Sequence, residues 1–83
     1  MEDVYFENRV HGIIYRFETQ GFTTDILNSE GEWDNDERTL RNNTEILMLE
    51  FVRGTVEEVA PIEVFGVRKH RIARTMLGPE TKL

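Results

Sequence analysis

The stretch Thr44-Glu45-Ile46-Leu47-Met48-Leu49-Glu50-Phe51-Val52-Arg53, followed by Gly54, decides the fold of this chain. Glu, Leu and Met favour helix, and Gly54 stands where a C-cap glycine would stand. On a helical wheel, however, Ile46, Leu47, Met48, Leu49, Phe51 and Val52 cover nearly the whole circumference. A strand buried on both faces accommodates such a run equally well. Propensity and the cap favour helix, which makes the protein a small α+β domain.

Working towards the N-terminus, Ile13, Tyr15, Phe17 and Thr19 alternate with Arg16, Glu18 and Gln20, a strand pattern. Gln20-Gly21 reads as a turn, and Phe22–Leu27 is a second, β-branched alternating run. Asn28-Ser29-Glu30-Gly31 has turn chemistry, and Glu32-Trp33 could open a short third strand. Residues 10–33 are therefore expected to form an antiparallel hairpin or meander. Its Ile13/Tyr15/Phe17 face is expected to pack on apolar residues of both 46–52 and 65–77. Residues 1–9 are read as an N-terminal arm and Asp34–Asn43 as a polar loop or a weak first helical turn.

On the C-terminal side, Thr55-Val56-Glu57-Glu58 matches a capping box, implying a short helix before Pro61. Alternatively, Pro61 opens the first turn of another helix. Residues 65–77 carry a helical pattern, with Phe65, Ile72, Ala73, Met76 and Leu77 on one arc. Arg68, His70, Arg71 and Arg74 lie on the opposite arc, and Lys69 interrupts the apolar one. The expectation is an apolar seam facing the core and a basic face turned outward. Gly78-Pro79 stops the helix, and 78–83 reads as a mobile tail.

Charge is unevenly distributed. Residues 1–63 hold fifteen Asp/Glu against five Lys/Arg, whereas residues 64–83 hold five Lys/Arg against Glu80 alone. Such segregation points to a macromolecular partner or an oligomer contact more readily than to catalysis. Eighty-three residues make one domain, 1–83, with no room for a second core. With no cysteine there is no disulfide framework and no thiolate metal site. The longest apolar run, Ile46–Leu49, is far short of a membrane span, and no signal sequence is visible. Asn42-Asn43-Thr44 matches a glycosylation sequon but is read as chance. The expected location is cytoplasmic or within a virion, with no membrane partner.

No catalytic constellation stands out. His11 and His70 fall in different elements, and Ser29, the single serine, sits in a turn. A hydrolytic triad needs nucleophile, base and orienting group in register, and no Gly-rich phosphate loop is present. Asp34-Asn35-Asp36 lacks the following glycine of a calcium loop. No enzyme activity, cofactor or metal is therefore expected.

Two family resemblances bear on binding. Gly66-Val67, Ile72 and Met76 have the spacing of a recognition helix, with 46–49 and 55–60 upstream as the two preceding helices. Residues 44–77 thus resemble a helix-turn-helix unit. The resemblance implies that Arg68, Lys69, Arg71 and Arg74 face phosphates and base edges in a major groove. It departs in the interval from Ala60 to Gly66, which is six residues and contains Pro61. Gly12-Ile13-Ile14-Tyr15-Arg16-Phe17 with Gly21-Phe22 resembles the opening of a cold-shock barrel, which implies a small all-β barrel as the alternative fold and base stacking on aromatics.

The leading reading is a non-catalytic accessory protein that docks on a larger protein assembly or self-associates. A phage or virion accessory protein, or a small regulator of a host complex, would suit it. The candidate contacts are a basic face (Arg68, Lys69, Arg71, Arg74) and an acidic, aromatic stretch (Glu30, Glu32, Trp33, Asp34, Asp36). Trp33 and Phe6 are the expected exposed anchors. Helix-turn-helix DNA binding through 66–77 is the alternative, with nucleic acid the less favoured partner.

Overall fold

The alternating runs at 13–18 and 22–27 pair with each other, and the chain adds strands on both sides of them. In a computed structural model that describes residues 3–35 and 42–77, the strands are β1 Asp3–Asn8, β2 Ile13–Glu18, β3 Thr23–Leu27, β4 Trp33–Asp34 and β5 Val56–Val59. The helices are α1 Asn43–Arg53 and α2 Pro61–Leu77. The sheet order is β4-β3-β2-β1-β5, with every neighbouring pair antiparallel. The fold is α+β with an open sheet, which excludes the closed barrel.

Two of the turns have a local cause. In the β1–β2 turn the buried Asn8 side chain accepts from the backbone N–H of Val10 (3.1 Å) and His11 (3.3 Å), and Gly12 takes φ +66°. In the β3–β4 turn Asn28 Oδ1 accepts from the N–H of Glu30 and Glu32, both at 2.9 Å. These are side-chain mimics of a backbone turn, the reason Asn concentrates in such loops.

Helix α1 forms as its composition predicts and is closed at both ends. Asn42 is the N-cap, its side chain accepting from the Glu45 N–H at 2.9 Å. Gly54 is left-handed at φ +76° and its N–H reaches the carbonyls of Glu50 and Phe51.

Three expectations are corrected. The N-terminal arm is strand β1, inside the sheet and paired on both edges. The capping box at 55–58 caps no helix: Val56–Val59 is β5, because β1 offers it an unpaired edge. Thr55 instead closes α1, its N–H and hydroxyl both donating to the Glu50 carbonyl. Pro61 then opens α2 at a helical position where its missing N–H is harmless.

The third correction concerns layering. Successive strand residues point to opposite faces. Tyr15, Ile26 and Leu47 form one buried cluster with Phe6, Ile13, Phe17 and Val56 around it. Ile14, Leu27, Val59 and Val64 form another with Tyr5, Trp33 and Val67. So α1 covers one face of the sheet and α2 the other, not a shared face. The chain runs from the β4 edge over one face as α1, pairs as β5 at the far edge, and returns under the sheet as α2.

Candidate functional site

The sheet-facing side of α2 consists of Val64, Val67, Arg68, Arg71 and Ile72, at intervals of three, one, three and one. Its two arginines are used inside the molecule. Arg68 Nε donates to the Gly31 carbonyl at 2.7 Å. Arg71 donates to the carbonyls of Leu27 (3.1 Å), Asn28 (3.3 Å) and Gly12 (3.3 Å). One guanidinium thus ties α2 to the β1–β2 and β3–β4 turns together, with its donors in the fork geometry that lysine lacks. Gly31, at φ +85°, lies so close that an added Cβ would meet Ile72 Cγ1 at 2.5 Å and the Arg68 carbonyl at 2.9 Å.

With its arginines turned inward, α2 presents its apolar residues outward. Phe65 is 59% exposed, Met76 81% and Ile62 73%. This reverses the seam expected to face the core; only Ile72 of it lies against the sheet, and it is half-buried. The reason is that a carbonyl cluster at the turns outcompetes a phenyl ring for the inward arc. Buried carbonyls must be satisfied, and charged donors bind them strongly. Lys69, His70 and Arg74 are exposed. The basic face is therefore divided, with Arg68 and Arg71 inside and Lys69 and Arg74 outside. Gly66, expected as a turn glycine, lies inside the helix, and a methyl group added to it would meet nothing within 4 Å.

Helix α1 has a similar outer face on the opposite side. Leu47 is buried against the sheet, and Glu50 bonds Asn8 Nδ2 (2.9 Å) and the Tyr15 hydroxyl (2.9 and 3.0 Å). Met48, Phe51 and Val52 point out, Val52 at 83% exposure. Together with Phe6, Phe17, Thr44 and Leu47 they line an apolar groove along the helix. Phe6 meets Phe51 edge-on at 6.2 Å between centroids. At the far end Phe17 meets Phe22 at 5.3 Å. Phe22 is 61% exposed and sits at φ +54°, an uncommon conformation for a bulky residue.

The acidic, aromatic stretch does not form a single surface. Trp33 is half-buried, 5.9 Å from Tyr5 and beneath the Arg16 guanidinium at 4.7 Å. It is a core residue of the α2 face, not an exposed anchor, and Phe6 is likewise half-buried in the α1 groove. Arg16 pairs with the buried Asp25 at 2.7 Å. Glu30 and Glu32 lie in the turn, Glu30 exposed. Asp34 belongs to β4, and Asp36 lies outside the described residues, as does the 78–83 tail.

Among the described residues, no three His, Asp or Glu side chains converge as a metal site would require, and no helix is long and apolar enough to cross a membrane. The helix-turn-helix unit is not formed, because residues 56–59, its second helix, are a strand. Compared with protein-family models, curated proteins and solved structures, the chain finds no match.

Proposed function

We propose that this protein is a non-catalytic docking module that binds protein through the apolar outer faces of α1 and α2. The observation that carries this reading is the balance of large hydrophobic side chains. Seven are buried in the core, while ten are exposed among the described residues. Single exposed apolar residues are ordinary, but these cluster on two helix faces. Met48, Phe51 and Val52 stand on α1, and Ile62, Phe65, Met76 and Leu77 on α2. A helix face of this kind left in water forgoes about 25 cal/mol for each Å² that a partner would cover. The sheet edges are less suited to docking. β4 has only two residues, and β5 carries the exposed Glu57 and Glu58.

Photo-crosslinking tests this directly. A benzophenone side chain placed at Val52 or at Met76, in cells that naturally make the protein, is expected to attach to protein. Phe51→Glu should abolish the first adduct and Phe65→Glu the second, while a probe at Glu30 stays unreactive. Equal labelling from all three positions, insensitive to both substitutions, would overturn the reading.

A further inference from the structure

The two outer faces match each other. On α2 the exposed residues Ile62, Phe65, Lys69 and Met76 advance by three, four and seven, the spacing of a helix-pairing seam, with the half-buried Ile72 at the edge towards the sheet. Its single charge is the exposed ammonium of Lys69. On α1 the stripe Glu45, Met48, Val52 has the same spacing, flanked by Leu49 and Phe51. Its single charge is the exposed carboxylate of Glu45. Neither Glu45 nor Lys69 takes part in the ion pairs found among the described residues.

We propose that copies of this chain associate head to tail, the outer face of α2 in one copy seated on the outer face of α1 in the next. With Glu45 opposite Lys69 and the helices antiparallel, Met48 falls against Phe65 and Val52 against Ile62, apolar on apolar. The opposite charges then meet inside an apolar contact, which selects this pairing over α2 on α2. That like pairing, centred on Lys69, would bring ammonium to ammonium. Gly66 agrees with an outside partner. A glycine inside a helix costs about 0.5–1 kcal/mol relative to alanine, and among the described residues nothing would lie within 4 Å of a methyl group there.

The two faces lie on opposite sides of the sheet, so the contact is heterologous and propagates into a ring or an open chain. With eleven residues in α1 the contact is about 16 Å long. A contact of that length is at the small end for specific interfaces, and the association is expected to be weak.

The proposal deepens the docking reading and rests on it, and sedimentation equilibrium of purified protein tests it separately. The wild type should show an average mass that rises steadily with concentration. Phe51→Glu and Phe65→Glu should each be monomeric, with unchanged circular dichroism. Mixed in equal amounts, they should form a heterodimer and nothing larger, because one intact face of each kind remains. Val52→Glu and Met76→Glu, at still more exposed positions, replace them if either variant melts early. Glu45→Lys and Lys69→Glu should each weaken association tenfold or more, and the double variant should restore it. A wild type that stays monomeric to millimolar concentration would overturn head-to-tail pairing, as would a Phe51→Glu variant that still dimerises. Crosslinking to a different protein in cells, alongside such a result, would leave the docking reading standing.

Discussion

Gly31→Ala is expected to destabilise the fold by roughly 2–5 kcal/mol, the sum of left-handed backbone strain and overpacking. Gly31 is at φ +85°, where an L side chain is strained whatever the space around it. Space is also lacking. The new methyl group would lie 2.9 Å from the Arg68 carbonyl and 3.2 Å from the Ile72 N–H, both backbone atoms of α2. For a domain of this length the whole stability is roughly 4–12 kcal/mol, so the loss is a large fraction of the total. Gly12→Ala is the internal control. Its φ is +66° but among the described residues nothing would lie within 4 Å of the new methyl group, so only the strain of about 1–2 kcal/mol applies. Urea denaturation should place the Gly31→Ala midpoint well below that of Gly12→Ala. Adding Ile72→Ala should not rescue it, because the Arg68 carbonyl remains. Equal midpoints for the two glycine variants would show that α2 does not sit on the β3–β4 turn.

The second large effect is expected at Glu50, on the other face. Its carboxylate accepts from Asn8 and Tyr15, which are 2% and 1% exposed. Glu50→Ala removes that acceptor from two buried donors, at about 1–3 kcal/mol each. Tyr15→Phe deletes one donor and leaves the carboxylate bonded to Asn8, a loss of about 1 kcal/mol. In the double variant the two losses should not add, since both report on one network. A double-mutant cycle by urea denaturation measures this. Strict additivity would mean that Glu50 does not join α1 to β2 through Tyr15.

What the sequence discloses and what it hides divide along local and non-local lines. Helix α1 is legible because its propensity and Gly54 act within the element itself. The meander of β2 and β3 is legible because alternation is local too. Asn42 and Glu45, cap and third helical residue, are local signals as well, but Asn42 lies within the polar stretch Asp34–Asn43. β1 and β5 are different. Asp3-Val4-Tyr5-Phe6-Glu7-Asn8 is short and acid-rich, and what makes it a strand is pairing on one side with Ile13–Glu18 and on the other with the distant Val56–Val59. Thr55–Glu58 satisfies a helix-start pattern, yet the open edge of β1 outweighs it.

The rotation of α2 is the most instructive case. A wheel ranks residues by apolarity, and on that ranking Phe65, Ile72 and Met76 face inward. It has no knowledge of the carbonyls of Gly12, Leu27, Asn28 and Gly31, which the turns place beneath the helix. Once these are present, Arg68 and Arg71 are the better inward residues, with their long stems covering apolar surface on the way. The same rotation creates the outward stripe on which the docking and self-association proposals stand. Charge segregation is legible in the chain itself; the division of the basic residues between inside and outside is not.

The orientation of α2 is the claim on which the rest depends, and a chain without cysteine allows a clean test of it. Val64→Cys and Phe65→Cys place thiols at neighbouring positions, one 4% and the other 59% exposed in the parent residue. Reaction with a small disulfide reagent in dilute native solution should be rapid at Phe65→Cys and strongly protected at Val64→Cys. Raising the protein concentration should slow the first and leave the second unchanged. Protection at position 65 with ready reaction at 64, in dilute solution, would contradict the account.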